Sequence, residues 1–338
     1  MKSQAESQIS MMAQPPYPWL SVAWSQFTRQ VDEGRLPHAM LLVGADGIGC
    51  DHLAQAMAHY LLCVKPVNGQ SCGQCKSCQL LKTDVHPDLY TIGLEMNEKT
   101  RKLAQNIRID QVRAVSERTA NTAQQGGRKV VVIYPAESMN VASANALLKN
   151  LEEPNGDCVF ILVSEQSAFL MATIRSRCSK VVLPLPTREE GLQWLERNQI
   201  QQAAERLEAV GGRPLKVIEW LESDLWGQKD ALRQQLQSLL GNQKDFLACA
   251  KAIGGFGALW VIEQLQLWVN QAVKARTLKV QRPQVDILKE LLTCEDGKLH
   301  SFNDILLEKK ALVLSSANPN PQLLLEELLM QLQDLASV

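Results

Sequence analysis

The chain has 338 residues, of which 46% are hydrophobic, and its 35 basic residues nearly balance 36 acidic residues. This length favours two or three domains with a substantial core, and the near-neutral charge argues against a protein that holds DNA mainly through its own basic surface. No apolar run approaches the roughly 20 residues that span a bilayer, and the first residues lack an apolar signal core, so we expect a cytoplasmic protein without membrane contact.

The first half of the chain alternates short apolar runs with helical patterns. Residues 1–16 are interpreted as a disordered lead-in, and translation could begin at Met1, Met11 or Met12. Short, nearly continuous apolar strands separated by helices are typical of a parallel sheet covered on both faces. The sequence therefore predicts an α/β domain over residues 17–185. Its predicted strands are 39–44, 89–93, 129–135, 158–164 and 180–186, and its predicted helices are 51–63, about 110–124 and 141–153.

The pattern becomes helical after Pro184 and Pro186. Thr187 and Glu190 have the spacing of a capping box, and three short helices follow, which predicts a small helical domain over 186–226. The remainder, 227–338, is predicted to be helical throughout. Apolar stripes in this part are typical of a packed core, although an assembly surface would have the same periodicity. The stripes are Ile262, Leu265, Val269 and Val273, and Leu325, Leu328, Leu332 and Leu335.

The stretch "LLVGADGIGCDHLA" resembles the start of a phosphate-binding loop. Gly44, Gly47 and Gly49 follow a predicted strand and precede a predicted helix. A working loop of this type continues with Lys and then Ser or Thr, which contact the phosphates and the magnesium ion. Here Cys50 and Asp51 stand at those two positions. The loop is therefore degenerate, although its backbone N–H groups could still hold an anion.

Four cysteines lie close together between the first predicted helix and the second strand. Cys63, Cys72, Cys75 and Cys78 have the spacing C-x8-C-x2-C-x2-C. Four thiolates close a tetrahedral coordination sphere, so this pattern predicts a structural zinc site within a module of about residues 63–86. An iron–sulfur cluster is the alternative metal centre. His86 could take the place of one of these ligands, but a histidine before proline is more typical of a turn.

A longer motif identifies a family. The segment "SANALLKNLEEPNGDCVFILVSEQSAFLMATIRSRC", 143–178, closely resembles the helix, strand and Ser-Arg-Cys segment of clamp-loader subunits of bacterial DNA polymerase III, a branch of the AAA+ family. The resemblance covers roughly residues 17–338. It implies an AAA+-like parallel-sheet domain with a zinc insert, a small helical lid domain (186–226) and a C-terminal helical collar domain that oligomerises (227–338).

Within this family, the degenerate loop favours the delta prime type over the ATP-hydrolysing gamma/tau type. Gamma/tau subunits carry an Asp-Glu pair after the third strand, and Tyr134 and Pro135 stand at those positions. Glu137 lies just beyond and is interpreted as an acid that leads into a helix. The family's second sensor arginine falls at or beside Pro214, next to Arg213. The resemblance thus implies a chain that does not bind ATP productively and has no ATPase activity of its own, although it belongs to a polymerase holoenzyme.

The Ser-Arg-Cys segment has a second implication. In this family its arginine acts in trans on the ATP of an adjacent subunit, which assigns the role of arginine finger to Arg177, with Ser176 and Cys178 in the same motif. A guanidinium suits this task because it is always charged and its planar fork of donors matches phosphate oxygens. The implied partners are the gamma/tau and delta subunits, and the sliding clamp and primer–template DNA through the assembly.

Two other functions stay open from the sequence. An independent ATPase with a non-standard loop would hydrolyse ATP as the isolated chain. A zinc-dependent DNA-binding protein of repair would bind DNA alone, with a strong dependence on salt. The missing lysine and acidic pair count against the first alternative, and the near-neutral charge counts against the second.

Overall fold

The structure is a computed structural model. It describes residues 17–96, 103–125, 127–154, 156–223, 225–241, 245–277, 291, 294–314 and 319–336. The predicted lead-in, 1–16, lies outside the described residues, as do the three candidate starts. The chain divides into two compact units between Val217 and Ile218.

The first unit is built on a five-stranded sheet in the order β2-β3-β4-β1-β5. Every neighbouring pair of strands is parallel. The strands are Ala39–Val43 (β1), Leu89–Ile92 (β2), Lys129–Ile133 (β3), Cys158–Ser164 (β4) and Ser179–Val182 (β5). The helices of this unit are Ser21–Asp32 (α1), Cys50–Leu62 (α2), Lys76–Lys82 (α3), Ile109–Thr119 (α4), Val141–Glu152 (α5), Ala172–Arg175 (α6), Arg188–Arg197 (α7) and Ala203–Ala209 (α8), with short 3-10 helices at Pro18–Leu20 and Ala136–Ser138.

The three central strands, β3, β4 and β1, are buried on both faces of the sheet, whereas the edge strands β2 and β5 are partly exposed. Met40 and Leu42 belong to one hydrophobic cluster, and Leu41 between them belongs to the cluster on the other face. Successive side chains of a strand point to opposite faces, so a strand between two layers of helices must be apolar at every position. The predicted α/β domain with a parallel sheet is confirmed.

One helix ends earlier than its sequence pattern predicts. Helix α4 ends at Thr119, whereas the prediction extended it to about residue 124. The buried carboxylate of Asp88 accepts hydrogen bonds from the backbone N–H groups of Gln124 and Gln125 at 2.8 and 2.9 Å. These two N–H groups are therefore held in a loop by a residue that is distant in sequence.

The predicted capping box forms at the start of α7. Thr187 accepts a hydrogen bond from the N–H of Glu190 at 3.2 Å, and the Glu190 carboxylate accepts one from the N–H of Thr187 at 2.9 Å. Helices α7 and α8 belong to the first unit, and the division of the chain falls inside the next helix, Pro214–Glu222 (α9). A separate lid over 186–226 and a collar over 227–338 stay predictions.

The second unit is helical over its described residues, which confirms the predicted all-α part. Its buried side chains include three residues of the first predicted stripe, Ile262, Leu265 and Val269, and all four of the second, Leu325, Leu328, Leu332 and Leu335. Lys229 is also buried; its Nζ lies 5.8 Å from the ring centroid of Trp220 and 5.6 Å from that of Trp226. The helices are Leu225–Leu240 (α10), Phe246–Ile253 (α11), Ala258–Thr277 (α12), Asp296–Leu314 (α13) and Pro321–Ala336 (α14), with a 3-10 helix at Gly254–Phe256.

Among the described residues, no single helix has both the length and the apolar composition needed to cross a bilayer. One pair of helices, Phe246–Phe256 and Ala258–Thr277, passes the same test of length and composition, with a bend of 111° between its members.

Candidate functional site

The glycine loop lies at the carboxyl end of β1 and leads into α2. The N–H of Gly44 donates to the carbonyl of Ser164 at 3.3 Å, which joins the start of the loop to the end of β4. Gly49 is the N-cap of α2 and has a φ of 85°, a conformation that other residues rarely adopt. The loop therefore has the strand–glycine–helix arrangement that the sequence predicts.

The side chains at positions 50 and 51 differ from the Lys and Ser or Thr that contact the phosphates and the magnesium ion in a working loop. Cys50 is 2% exposed, and its thiol lies 3.8 Å from the carbonyl of Ala45 within the same loop. Burial, with smaller contributions from nearby carboxylates, raises the pKa of Cys50 to about 12. Position 50 therefore holds a neutral thiol in place of a cation. Asp51 adds a negative charge in the first turn of α2.

Tyr134 follows β3, where an acidic residue would hold magnesium in a hydrolysing relative. Its hydroxyl donates to the Oε1 of Glu165 at 2.7 Å, which links the ends of β3 and β4. Burial is the largest cause of a rise in the pKa of Glu165 to about 7, and the Asp46 carboxylate adds to it. A negative charge is thus unfavourable at this edge of the sheet, and the charges of a phosphate group would be unfavourable there for the same reason.

Glu137 has a more definite position than the sequence predicts. It is the second residue of the short 3-10 helix, and its Oε1 accepts from the backbone N–H groups of Glu165 and Gln166, both at 3.2 Å. It therefore fixes the chain where it leaves β4. No local sequence pattern indicated this contact.

The four cysteines come together as predicted. The sulfur atoms of Cys63, Cys72, Cys75 and Cys78 all lie within 4.8 Å of one another, and those of Cys72 and Cys78 are 3.9 Å apart. Four sulfurs at about 2.3 Å from one tetrahedral zinc ion would be about 3.8 Å apart. The donor set and its spacing therefore fit a Cys₄ zinc site.

Backbone N–H groups surround these sulfurs. Cys72 donates to the sulfur of Cys63 at 3.2 Å, Cys75 to that of Cys72 at 3.3 Å, and Cys78 to that of Cys75 at 3.4 Å. Hydrogen bonds of this kind stabilise thiolates and orient metal ligands. They lower the pKa of Cys72 to about 6, with the N–H of Gln74 as the largest cause.

His86 does not take the place of a cysteine in this cluster. Its Nε2 lies 2.5 Å from the hydroxyl of Ser77, and its Nδ1 accepts from the N–H of Asp88 at 3.1 Å. The Ser77 hydroxyl also contacts the carbonyl of Leu62 at 2.6 Å. His86 instead connects the cysteine module to α2 and to the start of β2.

The Ser-Arg-Cys segment lies between α6 and β5. The Nε of Arg177 donates to the carboxylate of Glu152 at 2.6 Å, and its Nη1 donates to the carbonyl of Thr173 at 3.0 Å. The Arg177 side chain is 34% exposed and that of Glu152 is 49% exposed. Cys178 is half-buried, and burial raises its pKa to about 11, so its thiol stays neutral. Arg177 is thus the charged group of the motif, held near the surface by an acidic residue that sequence reasoning did not identify.

The Ser-Arg-Cys segment and the glycine loop lie at opposite ends of the sheet. Ser179, the first residue of β5, pairs with Met40 near the start of β1, whereas Gly44 follows the end of β1. Four residues of extended strand span about 13 Å. Arg177 therefore does not lie at its own glycine loop.

Comparison with known proteins shows the family to which the chain belongs. A protein-family model described as DNA polymerase III, delta subunit, matches residues 19–187. DNA polymerase III subunit delta' of Pseudomonas aeruginosa is 38% identical over 328 residues, which are 93% of this chain and 96% of that protein. The chain belongs to the DNA polymerase III delta' family. The delta' subunit of Escherichia coli is 36% identical over 225 residues, 65% of each chain.

A solved structure also aligns with this delta' family member. It is the crystal structure of a DNA polymerase III, gamma subunit-related protein from Thermotoga maritima, with 20% identity and a TM-score of 0.44. The alignment covers 93% of this chain and 99% of that one.

Two residues at the glycine loop of this delta' family member were not predicted from the sequence. They are Tyr17, which packs against Gly49, and Lys216, which forms an ion pair with Asp46. The resemblance places the second sensor at or beside Pro214, and the neighbouring Arg213 donates to the carbonyl of Val210 at 2.7 Å. Lys216 thus pairs with a carboxylate of the loop, and no motif had singled it out.

Proposed function

We propose that this chain is a non-hydrolysing member of the DNA polymerase III clamp loader and supplies Arg177 to the ATP site of an adjacent gamma/tau subunit. The observation that carries the proposal is the position of Arg177 at the opposite end of the sheet from its own glycine loop. A half-exposed arginine at that end is available to a neighbour and unavailable to its own loop.

The chemistry at both ends of the sheet supports this division of roles. The loop has a neutral thiol and added carboxylates where a nucleotide needs positive charge, which counts against an independent ATPase. The guanidinium of Arg177 keeps its charge at any physiological pH and offers paired donors to phosphate oxygens. Its contact with Glu152 is an exposed ion pair, which is weak enough to be exchanged for a phosphate.

We also propose that the chain binds one structural zinc ion, held by Cys63, Cys72, Cys75 and Cys78. Zinc would stabilise a segment that is too short to bury a core of its own. With four protein ligands, no position stays open for a substrate, so the role of the ion is structural.

The proposed partners follow from the family. They are the gamma/tau and delta subunits in a hetero-oligomer, with the C-terminal helical unit as the oligomerisation domain. The sliding clamp and primer–template DNA would be engaged through the assembly, in the cytoplasm. The near-balanced charge of the chain supports indirect engagement of DNA over binding by the isolated chain.

The test is Arg177→Ala in the reconstituted complex. We expect the variant chain to fold and assemble, because an exposed arginine contributes little to a core. DNA- and clamp-stimulated ATP hydrolysis should fall, by less than the roughly 10³–10⁵ that arginine fingers contribute elsewhere, because only one of several ATP sites faces this chain.

Two matched variants sharpen the result. Arg177→Lys should restore little activity, because an ammonium keeps the charge but lacks the forked geometry. Arg175→Ala removes a neighbouring exposed arginine whose Nη1 donates to the carbonyl of Ser167 at 3.1 Å, and it should do less. Unmodified rates of clamp loading and ATP hydrolysis in the Arg177→Ala complex would refute the proposed role.

A further inference from the structure

The glycines of the degenerate loop are contacted by side chains from distant parts of the chain. A Cβ atom at Gly49 would lie 2.3 Å from Cε2 of Tyr17 and 2.7 Å from its Cδ2. A Cβ atom at Gly47 would lie 3.0 Å from the Cβ of Lys216 and 3.3 Å from that of Arg213. In a phosphate-binding loop, glycines let phosphates approach the backbone closely. Here the space beside the same glycines is filled by protein.

Tyr17 is fixed on several sides. It is 2% exposed, and its ring stacks on Trp19 with centroids 5.0 Å apart and the edge of Trp194 at 5.7 Å. Its hydroxyl lies 2.6 Å from the Nδ1 of His52 in α2. The indole N–H of Trp19 donates to the carbonyl of Ile48, inside the loop, at 2.9 Å. Tyr17 is therefore a packed part of the loop's surroundings.

Lys216 approaches the loop from the other side. Its ammonium forms an ion pair with Asp46, and its side chain is only 14% exposed. The neighbouring N–H of Leu215 donates to the carbonyl of Gly47 at 3.1 Å. The loop is thus bonded, through backbone and charge, to the beginning of α9. The positive charge that reaches the loop is already paired with a carboxylate of the loop itself.

We propose that Tyr17 and Lys216 act as internal occupants of the glycine loop and exclude nucleotides by filling the loop. This inference deepens the proposed function, on which it rests for the expectation that no nucleotide is used. The absence of Lys and Ser/Thr at positions 50 and 51 lowers the affinity of the loop for ATP. The side chains of Tyr17 and Lys216 in addition block the access of ATP to the loop. In this arrangement the loop is bonded directly to Leu215 and Lys216 at the beginning of α9, and no ligand is needed to connect them.

The test is a stepwise restoration of the loop in the isolated chain, with magnesium-ATP binding measured by calorimetry. The first variant combines Cys50→Lys with Asp51→Thr and so restores both family residues. The second variant adds Tyr17→Ala and Lys216→Ala. If the loop is open in about 1% of molecules, its apparent affinity is lowered roughly 100-fold. We therefore expect the first variant to bind ATP roughly 100-fold more weakly than the second.

Two results would overturn the inference. One is equal ATP affinity in both variants, and the other is no binding by a second variant that keeps its helix content and metal content. If the second variant does not fold, the version with Lys216→Ala as the only addition replaces it, and an unchanged affinity then counts against the inference. Because these measurements use the isolated chain, they are independent of the Arg177 experiment in the complex.

Discussion

The substitution Glu165→Gln should stabilise the first unit at pH 8 and have little effect at pH 5. The Glu165 carboxylate is partly buried at the end of β4, close to the carboxylate of Asp46, and its pKa is raised from 4.5 to about 7. A glutamine has nearly the same shape, and its amide oxygen can still accept the hydrogen bond from Tyr134. The substitution therefore removes the charge and keeps the contact.

The size and sign of the effect follow from linkage between protonation and folding. Between pH 4.5 and pH 7 the folded state binds more protons at Glu165 than the unfolded state does, so the free energy of unfolding falls as pH rises through this window. At about 1.36 kcal/mol per pKa unit, ionisation of Glu165 costs about 3 kcal/mol at pH 8 and less than about 1 kcal/mol at pH 5. We expect Glu165→Gln to raise the free energy of unfolding by about 2–3 kcal/mol at pH 8.

The assay must report on the first unit alone. Hydrogen exchange of the β4 peptide, measured over a urea series at each pH, follows the unfolding of the sheet. The matched control is Glu153→Gln, which removes the charge of an exposed carboxylate and should change stability by no more than about 0.5 kcal/mol at either pH. An equal stabilisation by Glu165→Gln at pH 5 and pH 8 would refute the reasoning.

Three further predictions concern other parts of the chain. Cys75→Ser should abolish the binding of one zinc ion per chain and speed hydrogen exchange in the cysteine module while the sheet stays protected; iron, or no metal, in the reduced wild-type protein would contradict this. Glu152→Gln should change stability by less than about 1 kcal/mol and leave the ATPase rate of the complex at least as high, because the ion pair is exposed and its loss releases Arg177. A fall as large as that in Arg177→Ala, absent in Glu153→Gln, would instead show that Glu152 orients the arginine. Burial lowers the pKa of Lys229 from 10.5 to about 8. Between pH 8 and pH 10.5 the folded state therefore binds fewer protons than the unfolded state, and below pH 8 the buried charge lowers the free energy of unfolding by its full amount. Lys229→Met should therefore raise the free energy of unfolding of the second unit by about 1–2 kcal/mol at pH 7, and no gain in urea denaturation would count against it.

The features predicted from the sequence are those encoded locally. The strand Lys129–Ile133 is apolar at nearly every position because both of its faces are buried, and that pattern is visible in five residues. The two-residue gaps between Cys72, Cys75 and Cys78 likewise bring the sulfur atoms together with little help from the rest of the fold. Family resemblance added Arg177, which spacing alone does not distinguish from any surface arginine.

The features that were missed depend on the tertiary fold. Lys216 and Asp46 are 170 positions apart, and no periodicity relates a lysine near the start of one helix to a loop after a distant strand. Glu137 was predicted to lead into a helix, but its hydrogen bonds to the end of β4 require the sheet order to be known. Asp88 is similar, since its hydrogen bonds hold Gln124 and Gln125 in a loop where the sequence pattern extended α4.

The backbone of the glycine loop also bears on how such a site can lose its activity during evolution. Gly47 and Gly49 have φ values of 80° and 85°, and any larger residue at position 49 would collide with Tyr17. Selection for folding alone is then sufficient to keep these glycines, even though Cys50 and Asp51 stand where a working loop has Lys and Ser or Thr. The glycine pattern of a nucleotide-binding motif can thus persist in sequences that no longer bind a nucleotide. A glycine pattern in a related genome sequence is accordingly a record of main-chain geometry, and nucleotide binding depends in addition on the two residues after it and on the side chains that pack against the loop.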